Sequence, residues 1–149
     1  TDTRTGLVWD QCSYGASGSD CLSGAMVSGM GGQWAAAFNL VSSANGASYK
    51  GHNDWRLPNK NELESLLDRS LGGMAAKIDA SAFPKLKAPL PAGALLDIHH
   101  AAEQPEFFLD VEFGRARVQQ GEKSNAPDTS LYFTRLVRGG TGSTGYNGL

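Results

Sequence analysis

The stretch Asn53-Asp54-Trp55-Arg56-Leu57-Pro58-Asn59-Lys60-Asn61-Glu62-Leu63-Glu64 carries an extended run through a proline into the start of a helix. Pro58 fixes the approach, and the Asn59 side chain stands where it can accept from the free amides of the first turn. Glu62, three residues later, is placed to reach back in a capping box. Leu63, Leu66 and Leu67 then fall on one face and Glu64 and Asp68 on the other, which predicts an amphipathic helix whose apolar side packs on a core.

Upstream, Trp34, Ala35, Phe38, Leu40 and Val41 have near-helical spacing and Asn45-Gly46 is a stop signal, so a first helix is predicted over about Gln33 to Ala44. Gly6-Leu7-Val8-Trp9 suits a short first strand, and the Gly-rich segment from Ser23 to Gly32 reads as a loop. Downstream of Asp68 the pattern loosens, and Ile78 to Pro84 reads as surface loop. From Leu95 onward alternation takes over. Phe107, Leu109, Val111 and Phe113 share one face, with Phe108, Asp110 and Glu112 on the other. After a turn at Gly114, Ala116 and Val118 continue the apolar side while Arg115, Arg117 and Gln119 point away, as in a hairpin. A last strand is expected over Leu131 to Arg138. Two helices packed on several short antiparallel strands make the predicted class α+β.

A chain of 149 residues, 40% hydrophobic, has room for one sizeable core. A single domain over residues 1–140 is expected, followed by a Gly/Ser/Thr-rich tail at 141–149. The net charge of −2 comes from interspersed charges, which gives no positive field to gather a nucleic acid. No run approaches the roughly 18 apolar residues of a membrane span.

Cys12 and Cys21 bracket a loop of small, turn-forming residues, Ser13 to Asp20. A disulfide is the expectation, since it suits a secreted domain; two reduced, unrelated thiols are the alternative. A zinc site needs further thiols or histidines at regular spacing, and only His52, His99 and His100 exist.

Three anchors occur in a fixed order: Thr5-Gly6-Leu7-Val8-Trp9-Asp10, then Asp54-Trp55-Arg56-Leu57-Pro58-Asn59 with Glu62-Leu63-Glu64-Ser65-Leu66, then Arg135-Leu136-Val137-Arg138-Gly139-Gly140. With them the chain resembles the Lcl_C family, the C-terminal domain of collagen-like bacterial adhesins. The resemblance runs from about Thr1 to Gly140. It implies a C-type-lectin-like fold, a secreted or bacterial cell-surface location, and scaffold roles for Trp9, Trp55, Arg56, Arg135 and Arg138, with Asp54 and Glu62 as partners for the arginines. The chain departs from the family after Ala82-Phe83-Pro84, where Ala94 to His100 replaces an aromatic Tyr-Trp-Ser-Ser strand, and Phe107 and Phe108 stand where a Trp is common.

Candidate chemistry is sparse. Asp97 and His99 are two apart on a predicted strand and share a face, with Asp110 or Glu112 expected on a neighbouring strand. Such a group suits proton transfer or metal binding, but no nucleophile or third strong ligand accompanies it, and an ordinary polar outer face is the preferred reading. His99 and His100 point to opposite faces, which leaves one of them near the core side. The Glu-Pro-Asn loop of calcium-dependent lectins is replaced by Leu57-Pro58-Asn59, so no calcium cage is expected. Gly29-Met30-Gly31-Gly32 lacks the Lys-Ser/Thr of a phosphate loop. The cysteines lie early, unlike those of the distantly related formylglycine-generating enzymes. No enzyme activity, cofactor or metal is therefore expected. Arg115 and Arg117, with Lys123 beyond, form a small basic strip suited to an anionic polymer, which the resemblance implies to be a sulfated polysaccharide; a solvated charge ladder neutralised by Asp110 and Glu112 is the preferred reading.

The resulting expectation is a non-catalytic, adhesin-like extracellular binding module for a protein or glycan ligand. Its contact residues are expected among His99, His100, Phe107, Phe108, Arg115 and Arg117, because the family pattern breaks there while the flanking anchors persist. The alternatives are a structural subunit of a surface filament or pilus-like appendage, hence a homo-oligomer, and a variable receptor diversified by a retroelement.

Overall fold

The computed structural model describes residues 1–21, 23–24, 34–70, 78–84, 98–100, 107–112, 117–122 and 132–140, with backbone alone at 34–36, 98–100, 107–112, 117–122 and 132–133. The elements run β1 (Val8–Trp9), β2 (Ala16–Ser17), β3 (Ser23–Gly24), α1 (Trp34–Gly46), α2 (Lys60–Glu64), β4 (Ile98–His100), β5 (Phe107–Glu112), β6 (Arg117–Glu122), β7 (Tyr132–Phe133) and β8 (Val137–Arg138). This is the small mixed helix-and-sheet architecture expected. The tail at 141–149 lies outside the described residues.

The anchors of the sequence meet in space. β1 pairs antiparallel with β8, Val8 opposite Arg138 and Trp9 opposite Val137. On the other side of β8, Val137 and Arg56 exchange both backbone hydrogen bonds, at 2.9 and 3.0 Å. Asp54-Trp55-Arg56 is thus held against the last strand, which is held against the first. Gly140 closes the arrangement at φ +75°, where a Cβ would lie 2.5 Å from Leu7 Cδ2, so both the backbone angle and the space require glycine.

The capping box forms as predicted: Asn59 Oδ1 accepts from Glu62 N at 2.8 Å, and Glu62 Oε2 accepts from Asn59 N at 2.9 Å. The helix it starts is shorter than the spacing suggested. Regular α-helix ends at Glu64, and Leu66 N and Leu67 N bond the carbonyls of Leu63 and Glu64, the tighter three-residue pattern. Leu66 and Leu67 nevertheless pack on Leu63 and Ile78 together with Trp9 and Phe83. Residues 78–84 are a loop, as expected, with 79–82 exposed; Ile78 is buried in this cluster, and an apolar side chain under a loop pins the loop down.

α1 extends past Ala44 to Gly46 and inserts a small-residue face. Ala37 and Ala44 are fully buried, Ala37 against Leu57 and Ala44 against Trp55 and Leu136. Asn45 does more than end the helix. Its Nδ2 donates to Trp55 O and its Oδ1 accepts from Trp55 N, both at 2.8 Å, so one side chain completes the backbone bonding of Trp55 as a strand would. Trp55 Nε1 donates to Tyr49 O at 2.8 Å, which satisfies the polar end of a buried indole.

Cys12 and Cys21 are disulfide-bonded and both buried, closing a loop that contains β2, whose partner β3 lies just beyond Cys21. Gly24, read as loop, belongs to the β2–β3 hairpin at φ +81°, where a Cβ would meet the Gly15 carbonyl oxygen.

Two expectations about the strands are corrected. The predicted last strand, Leu131 to Arg138, is two strands in different sheets, because Thr134, Arg135 and Leu136 spend their backbone on the segment after β1: Thr134 O accepts from Tyr14 N and Leu136 O from Asp10 N, each at 2.8 Å. The larger sheet is also not purely antiparallel. Its order is β6-β5-β4-β7, and β7 runs parallel to β4. The chain returns from β6 to the far side of the sheet in order to feed β8, and that return sets its direction.

Candidate functional site

The second-half sheet holds the residues the sequence singled out, and its register sorts them. β5 and β6 pair over their whole length, from Phe107 opposite Glu122 to Glu112 opposite Arg117. β4 pairs with β5, Ile98 opposite Glu112, His99 opposite Val111 and His100 opposite Asp110. Paired residues belong to the same face of a sheet and neighbours along a strand to opposite ones. One set is therefore His99, Phe107, Leu109, Val111, Val118, Gln120 and Glu122, joined by Phe133 through its pairing with His99. The other is Ile98, His100, Phe108, Asp110, Glu112, Arg117, Gln119 and Gly121, joined by Tyr132 through its pairing with Ile98.

The six candidate contact residues thus do not form one surface. His100, Phe108 and Arg117 fall in the more charged set; His99 and Phe107 fall in the more apolar one, which also holds Gln120 and Glu122. Arg115, Lys123 and Asp97 lie outside the described residues. The expected grouping of His99 with Asp110 or Glu112 is corrected: His99 is opposite Val111, and both carboxylates belong to the alternate set. A one-residue offset is enough to separate them, since the side-chain period of a strand is two. Glu112 stands opposite Arg117 and Asp110 opposite Gln119, so of the basic strip Arg117 shares a register position with a carboxylate.

Arginine contacts tie the anchors together into a frame, Arg56 and Arg138 joining the second to the third and Arg135 the third to the first. Arg56 meets Glu62 in a two-bond fork, Nη1 to Oε2 at 2.7 Å and Nη2 to Oε1 at 2.8 Å, and also donates to the carbonyls of Leu57 and Gly139. Partial burial works to raise the Glu62 carboxyl, but the bonds from Arg56 and the Asn59 amide outweigh it and leave the group below its usual range. Arg138 Nε donates to Asp54 Oδ1 at 2.7 Å, and this bond lowers the exposed Asp54 carboxyl. Arg135 Nη1 donates to the carbonyls of Asp10 and Gln11 at 3.0 and 2.7 Å, with the guanidinium over the Phe83 ring.

One element of the frame had no sequence signal. Lys50 Nζ lies 2.6 Å from Asp10 Oδ1, and the Asp10 side chain is 0% exposed. The two are 40 positions apart, and neither sits in a local pattern that announces a pair. Burial, and then the Asp10 charge, push the neighbouring Tyr49 phenol well above its ordinary range. Tyr49 also stacks edge-on with Tyr14 and packs on Trp55. Asn45, likewise, was legible only as a helix stop.

Among the described residues, no group of three or more His, Cys, Asp or Glu is placed to hold a metal ion, and no helix is long and apolar enough to cross a membrane. The model of a family described as the Lcl C-terminal domain matches residues 1–138. No curated protein and no solved structure matches the chain.

Proposed function

The chain belongs to the family of Lcl C-terminal domains, whose pattern spans residues 1–138, and on that premise we propose that it is a non-catalytic, adhesin-like binding module of a bacterial surface protein. The proposal includes a C-type-lectin-like scaffold and a secreted or cell-surface location, with which the family and the buried Cys12–Cys21 disulfide are compatible. The recognition face is the more charged set of the β4–β5–β6 sheet, centred on His100, Phe108 and Arg117. The observation that carries it is the register: it gathers His100, Phe108 and Arg117 with Asp110 and Glu112 into one alternation set, while Leu109, Val111, Val118 and Phe133 fall in the other with a single charge, Glu122. The more apolar set suits packing and the set with most of the charges suits recognition.

The ligand is a protein or glycan with anionic groups, a sulfated polysaccharide being the first to try. The test is binding to immobilised heparin, chondroitin sulfate and desulfated heparin by the native protein and by a His100→Ala/Phe108→Ala/Arg117→Ala variant of unchanged melting temperature. A drop of tenfold or more, confined to sulfated chains, supports the proposal. Binding to sulfated chains that the triple variant retains in full sinks the face.

A second reading, assembly into a surface filament, has one observation in its favour. β6 borders its sheet, and among the described residues no strand pairs with its outer side. Light scattering on the native protein separates the two: a concentration-independent monomer excludes assembly through that edge.

A further inference from the structure

The regular β1–β8 register ends at Asp10. Continued without change, it would set Cys12 opposite Thr134, yet the next backbone bond to Thr134 O comes from Tyr14. The extra residues form a bulge, and side chains complete its bonding. Cys12 N donates to Asp10 Oδ1 at 3.3 Å, and Arg135 Nη1 takes the carbonyls of Asp10 and Gln11.

Alternation puts Trp9 and Arg135 on one side of this seam, where both pack on Phe83. Asp10, Thr134 and Leu136 fall on the other, toward Tyr49 and Trp55. There the polar accounts do not close. Asp10 Oδ2, Ser13 Oγ and Thr134 Oγ1 have no protein hydrogen bond of good geometry, the three residues are 1%, 2% and 1% exposed, and the Tyr49 phenol is the polar neighbour of the Asp10 carboxylate. Buried polar groups left unmade are strongly unfavourable, and three within one seam would consume a large part of a small domain's stability. Such groups are satisfied by internal water in native proteins, each molecule taking two to four bonds.

We propose that Asp10, Ser13 and Thr134 form an internal-water site in the seam between residues 10–14 and 134–136. The donor and acceptor inventory matches water: two hydroxyls that can give or accept, and a carboxylate oxygen that accepts. A metal cation fits poorly. The Asp10 carboxylate already holds Lys50 Nζ at 2.6 Å, and the Arg135 guanidinium bonds the carbonyls of the same bulge, so a cation would bring a third positive charge to a seam with one carboxylate. The water would link the opening anchor to the closing one through groups that the backbone ladder leaves out.

Oxygen-17 relaxation dispersion on the native protein should show a long-lived internal water, and none detected overturns the proposal. Thr134→Val keeps the side-chain shape and removes the hydroxyl. It should abolish that signal and lower the folded-to-unfolded ratio about tenfold, whereas Thr134→Ser should keep both. In a dry seam Thr134→Val instead leaves stability unchanged or raises it, which overturns the site. If Thr134→Val does not fold, the native signal and the Thr134→Ser comparison still decide. A melting temperature that rises in sodium chloride, relative to choline chloride at equal ionic strength, assigns the site to a cation and also overturns it.

Discussion

Lys50 holds the buried Asp10 carboxylate at 2.6 Å from a backbone position in the left-handed region, φ 52° and ψ 31°. The strain of a non-glycine residue there, roughly 1 kcal/mol or more, is sustained because the alternative is a buried charge without its cation. Lys50→Ala should therefore destabilise the protein by about 1–3 kcal/mol, less than for a fully buried pair because the lysine is partly exposed. Lys50→Gly removes the same ammonium but relieves the backbone, and should lose about 1 kcal/mol less than Lys50→Ala. Urea denaturation of the pair checks this; equal losses mean that the φ value carries no strain.

The Arg56–Glu62 fork gives the acid limb of stability a specific owner. Glu62 titrates lower when folded than when unfolded, so its contribution is complete above its ordinary pKa near 4.5 and is lost as pH falls through the lowered folded value. Glu62→Gln should flatten the stability profile below about pH 5 and reduce stability at neutral pH. An acid limb of the same slope in the variant assigns that limb to other carboxylates.

Two glycines with positive φ separate backbone strain from crowding. Gly51 has φ +80° and nothing within 4 Å of an added Cβ, so Gly51→Ala should lose only about 1 kcal/mol. Gly140 has φ +75° and Leu7 Cδ2 at 2.5 Å from such a Cβ, and its substitution to Ala should lose roughly 2–3 kcal/mol. Losses of the same size at both positions mean that Leu7 moves aside freely.

Reducing the buried Cys12–Cys21 bond frees a short loop and should lower stability by roughly 2–3 kcal/mol in the chain-entropy view. Equilibrium unfolding with and without reductant measures it. No change would mean that the short 12–21 segment is already restrained in the unfolded chain.

Local chemistry made much of this fold readable. Asn59 and Glu62 form their capping box because both partners lie within one helical turn, and Cys12 and Cys21 pair across a loop of turn-forming residues. The helix after Glu64 and the split last strand were not readable, since both are decided by partners distant in sequence: Ile78 for Leu66 and Leu67, and Asp10 and Tyr14 for the 134–136 segment. The alternation of β5 and β6 was legible; the alignment of β4 was not. One residue of register moves His99 from the carboxylates to Val111, and no pattern within Ile98-His99-His100 specifies that choice.

Tyr49 supplies the alkaline counterpart of Glu62. Its phenol is held above the ordinary value of 10.0 by burial and then by the Asp10 charge, so the folded protein retains a proton that the unfolded chain releases. Between the unfolded and folded pKa values the native state binds more protons, and stability must fall as pH rises. Tyr49→Phe keeps the ring against Tyr14 and Trp55 and removes the titrating group. It should be less sensitive than the native protein to pH above about 10, as read from urea midpoints between pH 8 and 11.5. Phenolate absorbance should lag behind that of a denatured control by one tyrosine until unfolding begins. If Tyr49→Phe leaves both the slope and the absorbance lag unchanged, the phenol is not held by Asp10, and the seam around that carboxylate is more open to water than its burial implies.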